Sequence, residues 1–269
     1  MTSQEKLNVR TSEGLHICVG LDTDINKIPE HLKKYDNPVF EFNKIIIEST
    51  QQTAAAFKIN FAFYERDGIE GLRNLEKTIK LIPDNVLIIG DSKRGDIGNT
   101  SQMYAESMFK HFNLDASTLN PYMGIDSISP FLEYENKINF ILALTSNKSS
   151  FDFEKQKLED GSFLYQKVIK KVNEWNSKNN CGIVFGATNS QELNENMNLI
   201  NKLFVLLPGV GAQGGSLEDV VKAFKSIDSK NYIINVSRAL LYADASINFG
   251  EIANSVLNDY NKKVAALTL

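Results

Sequence analysis

Eight short apolar runs recur along the chain, and each gives way to polar residues and then to a stretch with helical spacing. They fall at 17–22, 54–60, 86–90, 116–120, 140–145, 181–185, 204–207 and 232–236. Runs of this length, rich in Val, Ile and Leu, read as strands buried on both faces. Strands that alternate one by one with helices demand a parallel sheet, because a parallel pair needs a crossover between its members. A chain of 269 residues has room for eight such units, the number that closes a barrel. A doubly wound open sheet is the alternative, but it gathers its ligands at one switch point. Here polar groups stand at the ends of many strands, at Asp22, Lys58, Asp91, Lys93, Ser146, Gln213 and Arg238. The expectation is therefore an α/β protein, a single (β/α)8 TIM barrel over residues 1–269, with an N-terminal helical extension at 3–12.

The helical stretches are expected at 38–52, 63–81, 98–111, 126–134, 161–178, 190–198, 216–226 and 249–265, from the 3.6-residue spacing of their apolar positions. Residues 23–37 form a polar excursion with a short helix around 30–34. The long polar loop at 146–160 is a lid candidate, since long loops inside compact domains are often functional.

Composition excludes several classes. The net charge is −4, with acids and bases interspersed and no basic face, which argues against a nucleic-acid partner. The first residues lack the basic-then-apolar pattern of a signal peptide, and no apolar run approaches membrane-spanning length. A cytoplasmic protein is the expectation. Cys18 and Cys181 each lie inside an apolar run, as small core residues do. His16, His31 and His111 are scattered, without metal-ligand spacing, and no nucleophile-elbow or Walker-type motif is present.

The chemistry gathers after the third run, at Asp91-Ser92-Lys93-Arg94-Gly95-Asp96. Asp91 and Lys93 are two apart, so on a strand both point the same way, at the end of the strand where a parallel α/β protein does its chemistry. A structural ion pair, with Asp96 as a helix N-cap, is the plainer reading, but more charges converge here than one pair needs. Lys58 sits in an otherwise apolar run and needs a counter-charge or loses its proton. Asp91 can supply one, giving a preorganised row of alternating Lys, Asp, Lys and Asp. A second constellation is Pro208-Gly209-Val210-Gly211-Ala212-Gln213-Gly214-Gly215-Ser216, whose glycines can turn backbone N–H groups toward an anion. A third, Asn235-Val236-Ser237-Arg238, follows the eighth run, and barrels often hold phosphate between the loops after strands seven and eight.

Taken together, Asp91-x-Lys93-x-x-Asp96, Lys58 in Phe-Lys-Ile-Asn, Gly20-Leu21-Asp22, Pro208-Gly-Val-Gly with Gln213, and Ser237-Arg238-Ala239 resemble the orotidine 5′-phosphate decarboxylase family, in its longer-chain subgroup. The resemblance spans about residues 16–242. It implies a homodimeric barrel, with neither metal nor organic cofactor, that converts orotidine 5′-monophosphate to UMP and CO₂ in de novo pyrimidine biosynthesis. It implies that Lys58, Asp91 and Lys93 form the active-site row, with Lys93 protonating C6. Asp96 is implied to enter from the neighbouring subunit, with Thr100 following it across the interface. Asp22 would hold ribose hydroxyls, Gln213 and Arg238 the phosphate with the Ser237 backbone N–H assisting, and Ser146 the pyrimidine ring. Ser237 departs from the glycine that many relatives carry. The rival is a Mg²⁺-dependent, hexulose-phosphate synthase-like aldolase of the same barrel group. It resembles the chain in Asp-x-Lys-x-x-Asp but carries an acid where Lys58 stands.

Overall fold

The computed structural model describes residues 1–211 and 214–268. Eight parallel strands form a closed barrel in sequence order: β1 (Ile17–Gly20), β2 (Ala56–Asn60), β3 (Leu87–Arg94), β4 (Ala116–Leu119), β5 (Ile138–Leu144), β6 (Cys181–Phe185), β7 (Phe204–Pro208) and β8 (Tyr232–Val236). β8 pairs back onto β1, Val19 opposite Val236, so no edge is left open. Helices wrap the outside, among them Pro38–Thr50, Gly68–Ile79, Gly98–Glu106, Ile125–Leu132, Leu164–Trp175, Leu217–Lys225 and Phe249–Thr268.

Side chains alternate in and out along each strand. Val19, Phe57, Ile59, Ile88, Ile141 and Ile234 point outward and pack against helix residues such as Phe42, Leu75 and Ile169. Cys18, Ala56, Ile89, Ala116, Phe140, Val184, Leu206 and Ile233 point inward and fill the barrel. Leu7, fully buried, joins this inner cluster. The helix Ser3–Ser12 that carries it therefore closes the N-terminal end of the barrel. A Thr2–Glu5 capping box starts that helix, and Lys6 ties it to Asp115 at 2.9 Å. With this end plugged, ligand access is left to the opposite end, where two further steps along β2, β3, β4 and β8 bring in Lys58, Asp91, Thr118 and Asn235.

The structure departs from the expected elements at several points, among them the helix expected at 190–198, which divides into Ser190–Glu195 and Met197–Ile200. β3 does not stop at Gly90 but runs through the charged stretch to Arg94. The helix expected at 63–81 is broken, because Gly68 takes φ +62°, which an α-helix cannot continue. The loop at 146–160 contains a 3₁₀ turn, Lys148–Asp152, and the Glu154 carboxylate accepts from both the backbone N–H and the hydroxyl of Thr145. No helix among the described residues is long and apolar enough to cross a membrane.

Candidate active site

A cavity of about 320 Å³ opens at the C-terminal end of the barrel, lined by Asp22, Lys58, Asp91, Lys93, Ser146, Ser237 and Arg238 together with Asn60, Thr118, Thr145 and Asn235. Its size falls within the range of small-molecule sites. Seven of the ten residues nominated from the sequence thus meet in one place. Asp96 and Thr100 do not line it, and Gln213 lies outside the described residues.

The charge row is continuous. Lys58 Nζ donates to Asp91 Oδ2 at 2.8 Å and lies 3.5 Å from Asp22 Oδ1. Lys93 Nζ donates to the other oxygen, Asp91 Oδ1, at 2.6 Å. Lys58 and Asp91 are both buried. Burial by itself would lower the lysine's pKa, but the carboxylates of Asp91 and Asp22 outweigh it and hold the ammonium above its ordinary value. Burial would likewise raise the pKa of Asp91, and the two lysines reverse that, keeping the carboxyl well below the usual carboxylate range. Cys18, one inward step below, is pushed up to about 12 by burial and is a neutral filler.

Lys93 reaches Asp91 by a different route from simple alternation. Its φ is +48°, the left-handed region that costs a non-glycine residue roughly 1–2 kcal/mol. The sheet register slips here: Gly90 pairs with Ser117 and Arg94 with Leu119, so Asp91, Ser92 and Lys93 together face Thr118 alone. A bulge of this kind re-aims a side chain, and it leaves Lys93 half-exposed in the cavity while Asp91 stays buried.

Across the cavity, Asn235 Nδ2 donates to Ser237 Oγ at 3.2 Å, and Ser237 Oγ donates to Asp22 Oδ2 at 2.9 Å. Gly20 makes room for this chain, since a Cβ there would lie 2.0 Å from Ser237 Oγ. Two buried oxygens, Asp22 Oδ1 and Asn235 Oδ1, have no hydrogen-bond partner among the described residues. They offer acceptors to ligand hydroxyls. Arg238 stands exposed at the rim beside Gly209 and Val210, without an ion-pair partner among the described residues. Gly209 takes φ +102°, and the turn is closed by Gly215 N–H donating to the Gly209 carbonyl at 3.0 Å.

Asp96 is half-buried, and its Oδ1 accepts the N–H of Ile97 at 2.8 Å. It does not cap the following helix, whose N-cap is Ile97. Sequence reasoning missed Thr118 and did not nominate Asn235. Both are the residues two beyond an inward-facing core position, Ala116 and Ile233, so strand parity carried the signal. Among the described residues no three His, Cys, Asp or Glu side chains converge as a metal-binding group.

Comparison with known proteins bears on the family and the fold. Residues 16–247 match the family model described as "Orotidine 5'-phosphate decarboxylase / HUMPS family". An orotidine 5′-phosphate decarboxylase from Phocaeicola vulgatus is 48% identical over 240 residues, 88% of each chain. One from Christiangramia forsetii is 46% identical over 270 residues, 99% of this chain and 98% of that one. The solved structure of Leishmania donovani OMP decarboxylase superposes with a TM-score of 0.86 at 34% identity, covering 100% of this chain and 99% of that one.

Proposed function

The chain belongs to the orotidine 5′-phosphate decarboxylase family, and from that premise we propose how its residues convert orotidine 5′-monophosphate to UMP and CO₂. The observation that carries the proposal is the Asp91 carboxyl fixed between the ammonium groups of Lys58 and Lys93 on the cavity floor. When the bond from C6 to the substrate carboxylate breaks, its electron pair stays on C6 as a vinyl carbanion and CO₂ leaves. The Lys93 ammonium stabilises that charge and passes one proton to C6, and the neutral amine then takes a proton from water. Asp91 keeps the ammonium in place through its 2.6 Å contact. Lys58, bound to the other oxygen, keeps Asp91 from turning away. Because the row is ordered before substrate arrives, little reorganisation is needed during reaction.

The remaining roles follow the cavity outward. Asp22, whose Oδ2 is held by Ser237 and whose Oδ1 faces Lys58 at 3.5 Å without a hydrogen bond, takes the ribose hydroxyls. Arg238, Gln213 and the Ser237 backbone N–H take the phosphate, which is anchored far from C6, so its binding energy acts through positioning. Ser146 takes the pyrimidine ring.

The proposal includes a homodimer, in which Asp96 and Thr100 serve the neighbour's cavity. Its support is that Asp96 does not line its own. In addition, Ile97, Met103, Tyr122, Phe151 and Phe153 are exposed apolar side chains on segments following β3, β4 and β5. Exposed apolar sets of this kind mark association surfaces.

The test is ultraviolet monitoring of orotidine 5′-monophosphate, with and without prior EDTA treatment. Loss of substrate absorbance that survives EDTA is the expected result. No loss of substrate would reject this mechanism, and a loss abolished by EDTA and restored by Mg²⁺ would favour the aldolase-like one.

A further inference from the structure

Thr118 touches both ends of the catalytic pair without belonging to it. It is buried on β4, and it is the one β4 residue opposite the three-residue bulge of β3. Its Oγ1 accepts the backbone N–H of Lys93 at 2.9 Å and donates to Asp91 Oδ1 at 3.0 Å. The direction of both bonds is fixed. A backbone N–H can only donate, and an ionised carboxylate can only accept. A threonine hydroxyl has one proton, and Asp91 receives it.

The slipped register explains why a side chain is needed. In a regular strand the Lys93 N–H would face β2, the side on which the Asp91 carbonyl accepts the Phe61 N–H at 3.2 Å, but the bulge turns it toward β4. Here the next backbone bond is Asn120 N–H to the Arg94 carbonyl, at 2.8 Å, beyond the bulge. The Thr118 hydroxyl fills the gap, and so supplies the contact that holds Lys93 in its left-handed conformation. The same oxygen atom of Asp91 that Thr118 binds also receives Lys93 Nζ. One hydroxyl therefore sets both the root and the tip of the lysine side chain.

We propose that Thr118 is a positioning residue for decarboxylation, its hydroxyl tying the Lys93 backbone and the Asp91 carboxylate into the geometry from which Lys93 acts. This rests on the decarboxylase reading above. Removing the hydroxyl while keeping the shape leaves the cavity and the substrate contacts in place but frees Lys93 to shift.

The experiment compares wild type, Thr118→Val and Thr118→Ser, each checked by thermal melting and by UMP binding. Displacing a catalytic group by about 1 Å costs on the order of 100-fold, so Thr118→Val is expected to lower kcat about 100-fold. Because the loss falls on the transition state, KM and the Kd for UMP should change by less than about threefold. Thr118→Ser, which restores the hydroxyl, is expected to recover most of the rate. A merely structural threonine would change melting temperature and UMP affinity together with kcat, and Ser would not rescue it. If Thr118→Val gives no folded protein, Thr118→Cys, a weak donor of similar size, is judged by the same ratios. A kcat for Thr118→Val within about threefold of wild type, or equal losses in Val and Ser, overturns the proposal. A wild-type protein without turnover overturns the decarboxylase reading instead, and this inference falls with it.

Discussion

Lys58 and Asp91 meet inside the barrel, Nζ to Oδ2 at 2.8 Å, at 4% and 9% exposure. Either group alone in that position would neutralise itself, since isolated buried charges are costly. Together they stay charged, and the burial that threatens each of them also prevents water from screening their attraction. The second oxygen of Asp91 is left for Lys93, which extends the row from the core to the cavity.

This arrangement has a signature in stability against pH. The Asp91 carboxyl titrates below its ordinary value in the folded protein, whereas in the unfolded chain it titrates near ~3.9. Such a group adds stability above the unfolded value. The addition fades as pH falls toward the folded value, because the unfolded chain binds its proton first. Urea unfolding of wild type and Asp91→Asn between about pH 6 and 3 should show it. The difference between them should be flat down to about pH 5 and then fall, against wild type, with a slope that approaches ~1.4 kcal/mol per pH unit below about pH 3.5. Parallel curves to the acid end would mean that Asp91 is not held ionised by its neighbours.

Lys93 lies half in solvent, so its removal should spare the fold while destroying the chemistry. Lys93→Ala is expected to keep a wild-type melting profile and UMP binding, with kcat reduced by at least the ~10²–10⁴ typical of a lost general acid. Activity within about tenfold of wild type would remove Lys93 from the proton-donor role.

The barrel was legible from the sequence because fully buried strands leave unbroken apolar runs, and the eight observed strands overlap the eight runs. Lys58 and Asp91 were legible as charges in the wrong company. The bulge was not. Nothing in Gly90-Asp91-Ser92-Lys93 announces that three residues will face one, or that Lys93 will take a positive φ, because that conformation is imposed by β4 and by the contacts of Lys93 rather than by local propensity. Thr118 stayed invisible for a related reason. A threonine in a short strand is ordinary by propensity, and its two partners are 25 and 27 residues away. The interruption at Gly68 was hidden because an isolated glycine in a helical pattern is usually tolerated.

Arg238 offers a test that separates phosphate binding from fold. It is exposed at the rim, and no acid among the described residues occupies its guanidinium. Arg238→Ala should lower kcat/KM for the nucleotide by about 100-fold or more, since charge-assisted bonds to phosphate are worth about 1.5–3 kcal/mol each. Turnover of the phosphate-free nucleoside should change little. Equal losses on both substrates would make Arg238 a structural residue.

The last prediction concerns Asp96, which does not line the cavity of its own subunit. If it completes the neighbour's site, Lys93→Ala and Asp96→Ala are each nearly inactive alone, yet their defects fall on different subunits. In a mixed C₂ dimer one site receives both substitutions and the other receives neither. Random exchange in an equal mixture makes about half of the dimers mixed, so about a quarter of all sites are intact. Co-refolding equal amounts of the two variants should therefore recover about a quarter of wild-type activity per site, rising and falling with the fraction of mixed dimers. Mass spectrometry of the refolded sample measures that fraction independently. With exchange verified, an inactive mixture would return Asp96 to its own subunit, as the local partner of the Ile97 N–H that it already accepts at 2.8 Å.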